Sequence, residues 1–259
     1  MLKNKGMTVV AMLVFAFLFL PLVLIVITSF GEAAAIQFPI QGFTFRWYGN
    51  ALRNQSMINS FFLSLEIGIA ATFLSIIVGV PVSYVLARYS VKGKELLKGF
   101  FLSPTLIPGI VIGFTLFQNI VVRLGMPVIQ GLLIGHFLIS IPYIIRVVGS
   151  SMEQLDYSIE EVAWTLGCTR LRAFMQIVLP NVTSGIFAAF MLAFVNSFNN
   201  LPVNMFLSGP GVTMLPAQLL SFLEFNYDPT VSAISVMLMI LTVALMFLIE
   251  KTLGIASIV

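Results

Sequence analysis

From Met7 to Phe30 the chain carries no charged residue, a run longer than the roughly 20 residues an α-helix needs to cross the hydrocarbon core of a bilayer. Similar runs recur through the sequence. Hydrophobic residues make up 59% of the 259 and charged residues only 9%, against about 25% charged in a soluble domain. The chain therefore reads as an all-α integral membrane protein. A cleaved signal peptide would have an apolar region of only about 7–15 residues, so the first run is read as an uncleaved span.

Further spans are expected over Phe61–Leu86, Gly99–Val122, Val128–Val147 and Ser184–Leu207, with a sixth ending at Glu250 and Lys251. Residues 31–57 read as a loop at the far interface, where Trp47 and Tyr48 suit the headgroup level, and residues 208–229 as a Gly-Pro-rich outer loop. Cytoplasmic loops carry an excess of Lys and Arg. With both termini in the cytoplasm, every basic residue except Arg46, Arg53 and Arg123 falls inside. The expectation is one membrane domain over 1–259 with a cytoplasmic segment at 152–180.

That segment is the longest polar-rich stretch, and Ser158 to Pro180 gives it landmarks. Ser158 and Glu161 have the spacing of a capping box. Ile159, Val162, Ala163 and Leu166 fall on one helical face, and Gly167 can take the left-handed conformation that ends a helix. Leu171, Phe174, Met175 and Val178 repeat the spacing before Pro180 closes a second helix. Two short amphipathic helices with a glycine bend are predicted.

The pattern Glu161, Val162, Ala163, three residues, Gly167, nine residues, Ile177, Val178, Leu179, Pro180 resembles the E-A-A-x3-G-x9-I-x-L-P signature of permease subunits in bacterial binding-protein-dependent ABC importers. Val162 departs from the preferred Ala. The resemblance implies a type I importer permease fold of six transmembrane helices with a cytoplasmic coupling-helix pair. It also implies that Ser158, Glu160, Glu161, Val162, Ala163, Gly167, Arg170, Ile177, Leu179 and Pro180 couple to a separate ATPase subunit dimer, which would hold ATP and magnesium. A second permease subunit, an extracytoplasmic solute-binding protein and membrane lipid are the other implied partners, in the bacterial inner membrane.

No phosphate loop of the form G-x-x-x-x-G-K-[ST] occurs, so the chain is not read as an enzyme and binds no cofactor of its own. His136 is the only histidine and Cys168 the only cysteine, which leaves no metal-ligand cluster. The net charge of +3 is too small to argue for nucleic acid. Asn196, Asn199 and Asn200 stand at i, i+3, i+4, and Asn204 continues the same face at i+8, although Pro202 will distort the helix there. Carboxamides at membrane depth should face protein or water, so these are expected to line a substrate pathway. Glu66, the one acid well inside a predicted span, is a second pathway candidate.

Phe206 to Pro210, Leu215, Pro216, Asp228, Pro229, and Gly42 to Thr44 with Trp47 and Tyr48 are similar to the spermidine/putrescine branch of that family. This implies a polyamine or related small amine as cargo. The neutral Asn199 and Asn200, where that branch commonly has acids, leave an amino-acid-like compound or an organophosphonate as alternatives. The competing class is an ion-coupled secondary transporter, which would call for paired intramembrane carboxylates where only Glu66 stands.

Overall fold

The computed structural model describes residues 5–253; Lys3 falls outside them, as do the side chains of Lys5, Glu250 and Lys251. Among the described residues the regular structure is helical, apart from a single bridge between Gly209 and Val212. The first apolar run forms α1 (Lys5–Thr28), followed by α2 (Arg46–Arg53) and the long α3 (Gln55–Arg88). At 34 residues and 1.5 Å per residue, α3 is roughly 50 Å long and extends beyond the hydrocarbon core.

The predicted third span is not one helix. It begins as α4 (Lys94–Leu102), tightens through Ser103–Thr105, and resumes as α5 (Gly109–Leu116) with a wide-turn extension over Phe117–Arg123. The halves meet at 88°. Pro108 supplies the cause, because it has no N–H to donate and it pushes Ile107 out of the helical region. Next come α6 (Val128–Glu153), α7 (Ser158–Thr165) and α8 (Arg170–Ala173), which passes through a wide turn at Phe174–Val178 into α9 (Leu179–Asn181). Pro180 therefore lies inside the second short helical stretch instead of closing it. The Asn181 side chain donates to the Ile177 carbonyl at 2.7 Å.

The predicted fifth span also breaks. After α10 (Thr183–Phe198) the helix stops at Asn199, and α11 (Leu201–Phe206) starts with Pro202 in its first turn, where a missing N–H costs nothing. The outer loop contains a further helix, α12 (Leu215–Phe225), before α13 (Thr230–Leu253). Among the described residues three helices are long and apolar enough to cross a membrane, or up to five if each bent pair is one span. The expected count of six is thus not reached by the described residues. The described apolar part of α13, Thr230–Ala244, falls short of that length.

The described residues form two compact bodies. One comprises the chain up to Asn59 together with the chain from Gln218 onward. In it, α13 packs on α1 and α2, and Thr28 Oγ1 donates to Ser232 Oγ at 3.3 Å. Trp47, expected at the headgroups, is buried, with Nε1 donating to the Gly31 carbonyl at 2.7 Å. An indole N–H removed from water needs such a partner.

The other body is Ser60–Ala217, and α6 is its axis. Ser75 Oγ on α3 donates to the Phe137 carbonyl and Ser83 Oγ to the Ile145 carbonyl, so the two contacts advance together and α3 runs parallel to α6. The bent α4/α5 pair carries the chain back between them. Helix α10 lies antiparallel on α6, with Gly185 against Ser151 and Ser197 against His136. One apolar cluster joins Val80, Ile144, Val148, Met152, Val178, Val182, Ala189 and Ala193; another joins Ile67, Leu132, Ile139, Val203, Leu207 and Met214. Gly109 and Gly113 are where α5 receives Pro202 of α11. A Cβ on Gly113 would stand 2.9 Å from the Pro202 carbonyl, so the bend after α10 and the bend before α5 pack into each other.

Candidate coupling hook and polar pathway

Helix α7 starts differently from the predicted capping box. Ser158 is its first helical residue, and Asp156 Oδ1 accepts the Ser158 N–H at 3.0 Å. That donated N–H holds the Asp156 carboxyl below its usual range. Asp suits this position because its short carboxylate reaches the backbone two residues on. The exit of α7 follows the sequence closely. Gly167 has φ +86, its N–H bonds the Trp164 carbonyl and the Cys168 N–H bonds that of Ala163, each at 3.0 Å. This reciprocal pair is the Schellman closure, which uses a left-handed residue to satisfy carbonyls at a helix end. Thr169 then caps α8, its Oγ1 accepting from the Arg172 N–H at 3.4 Å. The result is a hook of two short helices.

The outer face of the hook is apolar. Ile159, Val162 and Leu166 are 51%, 57% and 83% exposed, and Leu171 and Met175 of the second arm are also exposed. Ala163, Ile177 and Leu179 are half-buried; Pro180, Glu161, Arg170 and Arg172 are exposed. Arg170 lies over the Trp164 ring, 5.3 Å from its centroid.

Glu160 is the exception among the predicted coupling residues. It is turned inward and 1% exposed, so it does not reach a partner's rim. Tyr84 Oη donates to its Oε1 at 2.5 Å and Arg88 Nε to its Oε2 at 3.3 Å. Arg88 Nη2 also reaches Glu161 at 2.5 Å. The guanidinium faces the Tyr157 ring at 4.9 Å and the Trp164 ring at 5.5 Å. Burial and the neighbouring Glu160 carboxylate push the Tyr157 phenol up. Tyr84 and Arg88 were not singled out from the sequence. The available signal was their i, i+4 spacing at the basic end of a span, which places both on one face.

The asparagine stripe is divided among several tasks, because the helix assumed to present it ends at Asn199. Asn196 Nδ2 donates to Tyr143 Oη at 2.9 Å. Asn200 caps α11, its Oδ1 accepting the Val203 N–H at 3.1 Å. Asn204 is fully buried, with Oδ1 2.8 Å from His136 Nε2, while His136 Nδ1 is 2.8 Å from Ser197 Oγ. With the amide oriented so, Nε2 donates and Nδ1 accepts from the Ser197 hydroxyl. Asn199 is exposed at the end of α10, and Glu66 is exposed on α3.

Residues 79–253 match the family model described as binding-protein-dependent transport system inner membrane component. The chain belongs to this family. It is a permease subunit of an ABC importer, not the ATPase. Over 244 residues the permease is 31% identical to the putrescine transport system permease protein PotI of Escherichia coli K12, covering 92% of this chain and 86% of that one. It is 26% identical over 237 residues to the spermidine/putrescine permease PotC of the same strain, covering 90% and 88%. The fold matches a chain of a bacterial ABC transporter involved in alginate import with a TM-score of 0.73, at 19% identity, over 97% of this permease and 98% of that chain. Family membership replaces the ion-coupled reading.

Proposed function

We propose that this permease forms a six-span translocation subunit whose 158–180 hook docks on a separate ATPase and passes the ATPase's closing motion to the membrane helices. The observation that carries the reading is the outward apolar face of Ile159, Val162 and Leu166, continued by Leu171 and Met175. Large apolar side chains on a short polar-flanked hook are what a protein partner would cover. The hook lies at the same end as Arg88 and the Lys98–Glu153 ion pair. That basic end supports a cytoplasmic location for the hook, with both termini also inside. ATP and magnesium would be held by the partner ATPase dimer, a second permease subunit would complete the pathway, and a binding protein would deliver cargo from outside.

The test is co-purification. Leu166→Asp is expected to insert normally yet reduce recovery of the ATPase at least about tenfold, since burying an unpaired carboxylate costs more than the roughly 1.4 kcal/mol that a factor of ten represents. Undiminished ATPase recovery would overturn the docking assignment.

The cargo we assign is a small organic amine of the polyamine type, supported by the likeness to PotI and PotC over most of the chain. With Asn196, Asn200 and Asn204 engaged by Tyr143, Val203 and His136, the pathway role falls to Asn199, with Glu66 as the acidic contact. Asn199→Leu is expected to lower cargo-stimulated ATP hydrolysis about tenfold with ATPase co-purification unchanged. An equal loss of assembled complex would make Asn199 structural.

A further inference from the structure

The Glu160 carboxylate is an expensive group to bury, and a buried ion pair gives little stability over apolar residues of the same size. Its worth lies in direction. Both oxygens are taken, one by Tyr84 Oη and one by Arg88 Nε, and both donors belong to the last two turns of α3. Arg88 extends the tie to Glu161 at one side of α7 and to the faces of Tyr157 and Trp164 before and within it. An apolar contact would let α7 slide or roll on α3. Directional bonds at 2.5 and 3.3 Å fix its rotation instead, and with it the direction in which Ile159, Val162 and Leu166 face.

We propose that Tyr84, Arg88 and Glu160 are positioning residues forming a rigid joint, through which the hook and the adjoining end of α3 move as one body during the ATP cycle. The inference rests on the coupling reading of residues 158–180. It differs from that reading in assigning the transmission to an intramolecular tie on the membrane side of the hook.

The test uses the complete transporter with its ATPase, in a Cys168→Ser background, spin-labelled through Val85→Cys on α3 and Thr165→Cys on α7. Both native side chains are exposed. Electron–electron distances are measured without nucleotide and with ATP under trapping conditions. With the joint intact, the distance should change by less than the roughly 1–2 Å of an ordinary helix shift. With Tyr84→Phe or Glu160→Gln added, it should move beyond that range on adding ATP, because the hook follows the ATPase while α3 lags. A merely stabilising tie would leave the variants' distance independent of nucleotide, and that result overturns the proposal. So does a nucleotide-dependent distance with the joint intact. Tyr84→Phe removes a single hydroxyl from a half-buried side chain, so it serves should Glu160→Gln fail to fold. Absence of the ATPase from the complex with the joint intact would sink the coupling reading itself, together with the joint.

Discussion

Gly167→Val is expected to abolish most ATP-coupled uptake while leaving membrane insertion unchanged. The effect does not come from crowding, since a Cβ at Gly167 would meet nothing within 4 Å. It comes from the backbone. The residue holds φ +86, and its N–H and that of Cys168 close the end of α7 only in that conformation. A β-branched residue there costs about 1–3 kcal/mol, enough to shift the local balance roughly 5- to 150-fold. The hook would then open at its elbow and separate Leu166 from Leu171. Gly167→Asn is the control, because Asn tolerates the left-handed region, and it should keep most of the activity. Equal transport by the valine and asparagine variants, measured in reconstituted vesicles, would dissociate the elbow from coupling.

The second large effect is one of stability. His136→Leu keeps side-chain bulk but removes the shared centre of a fully buried trio, leaving Ser197 Oγ and Asn204 Oδ1 without the imidazole. Interhelical hydrogen bonds in membranes average only about 0.6 kcal/mol, reaching about 1.7. Unpaired buried groups cost about 1–3 kcal/mol each, and this second number dominates. A loss of about 2–5 kcal/mol is expected, seen as a lower thermal midpoint in detergent. Because the cost lies in the orphaned groups, adding Ser197→Ala and Asn204→Leu should recover much of it. If the triple variant is less stable than His136→Leu alone, the trio contributes through its bonds and not through the penalty of breaking them.

The elbow of the hook was legible because its signals are local: a left-handed glycine and a run of i, i+3, i+4 apolar positions, whereas Pro180 does not end the second helix. The helix breaks were not. Pro104, Pro108 and Pro202 are each compatible with a mild kink in an apolar run, and the 88° bend that begins at Pro108 is accompanied by the tertiary fit of Gly109 and Gly113 on Pro202, which no local pattern shows. The asparagine stripe failed for the same reason, since helical spacing assigns a common face only while the helix continues, and this one stops at Asn199. Glu160 shows the other limit. Its partners lie 76 and 72 residues earlier in the chain, beyond the reach of any periodicity.

That separation has a consequence for biogenesis. When α3 leaves the ribosome, neither Glu160 nor Glu161 has been made, and in the orientation proposed above Arg88 would act as an unpaired positive charge retaining the end of the helix in the cytoplasm. At about 5–20 residues per second, the 72 residues to Glu160 take roughly 4–14 s to synthesise. Only then can the guanidinium be claimed by the two glutamates of α7. In that orientation one side chain would serve first as a topological signal and later as an anchor, and the order of translation would keep the two uses apart.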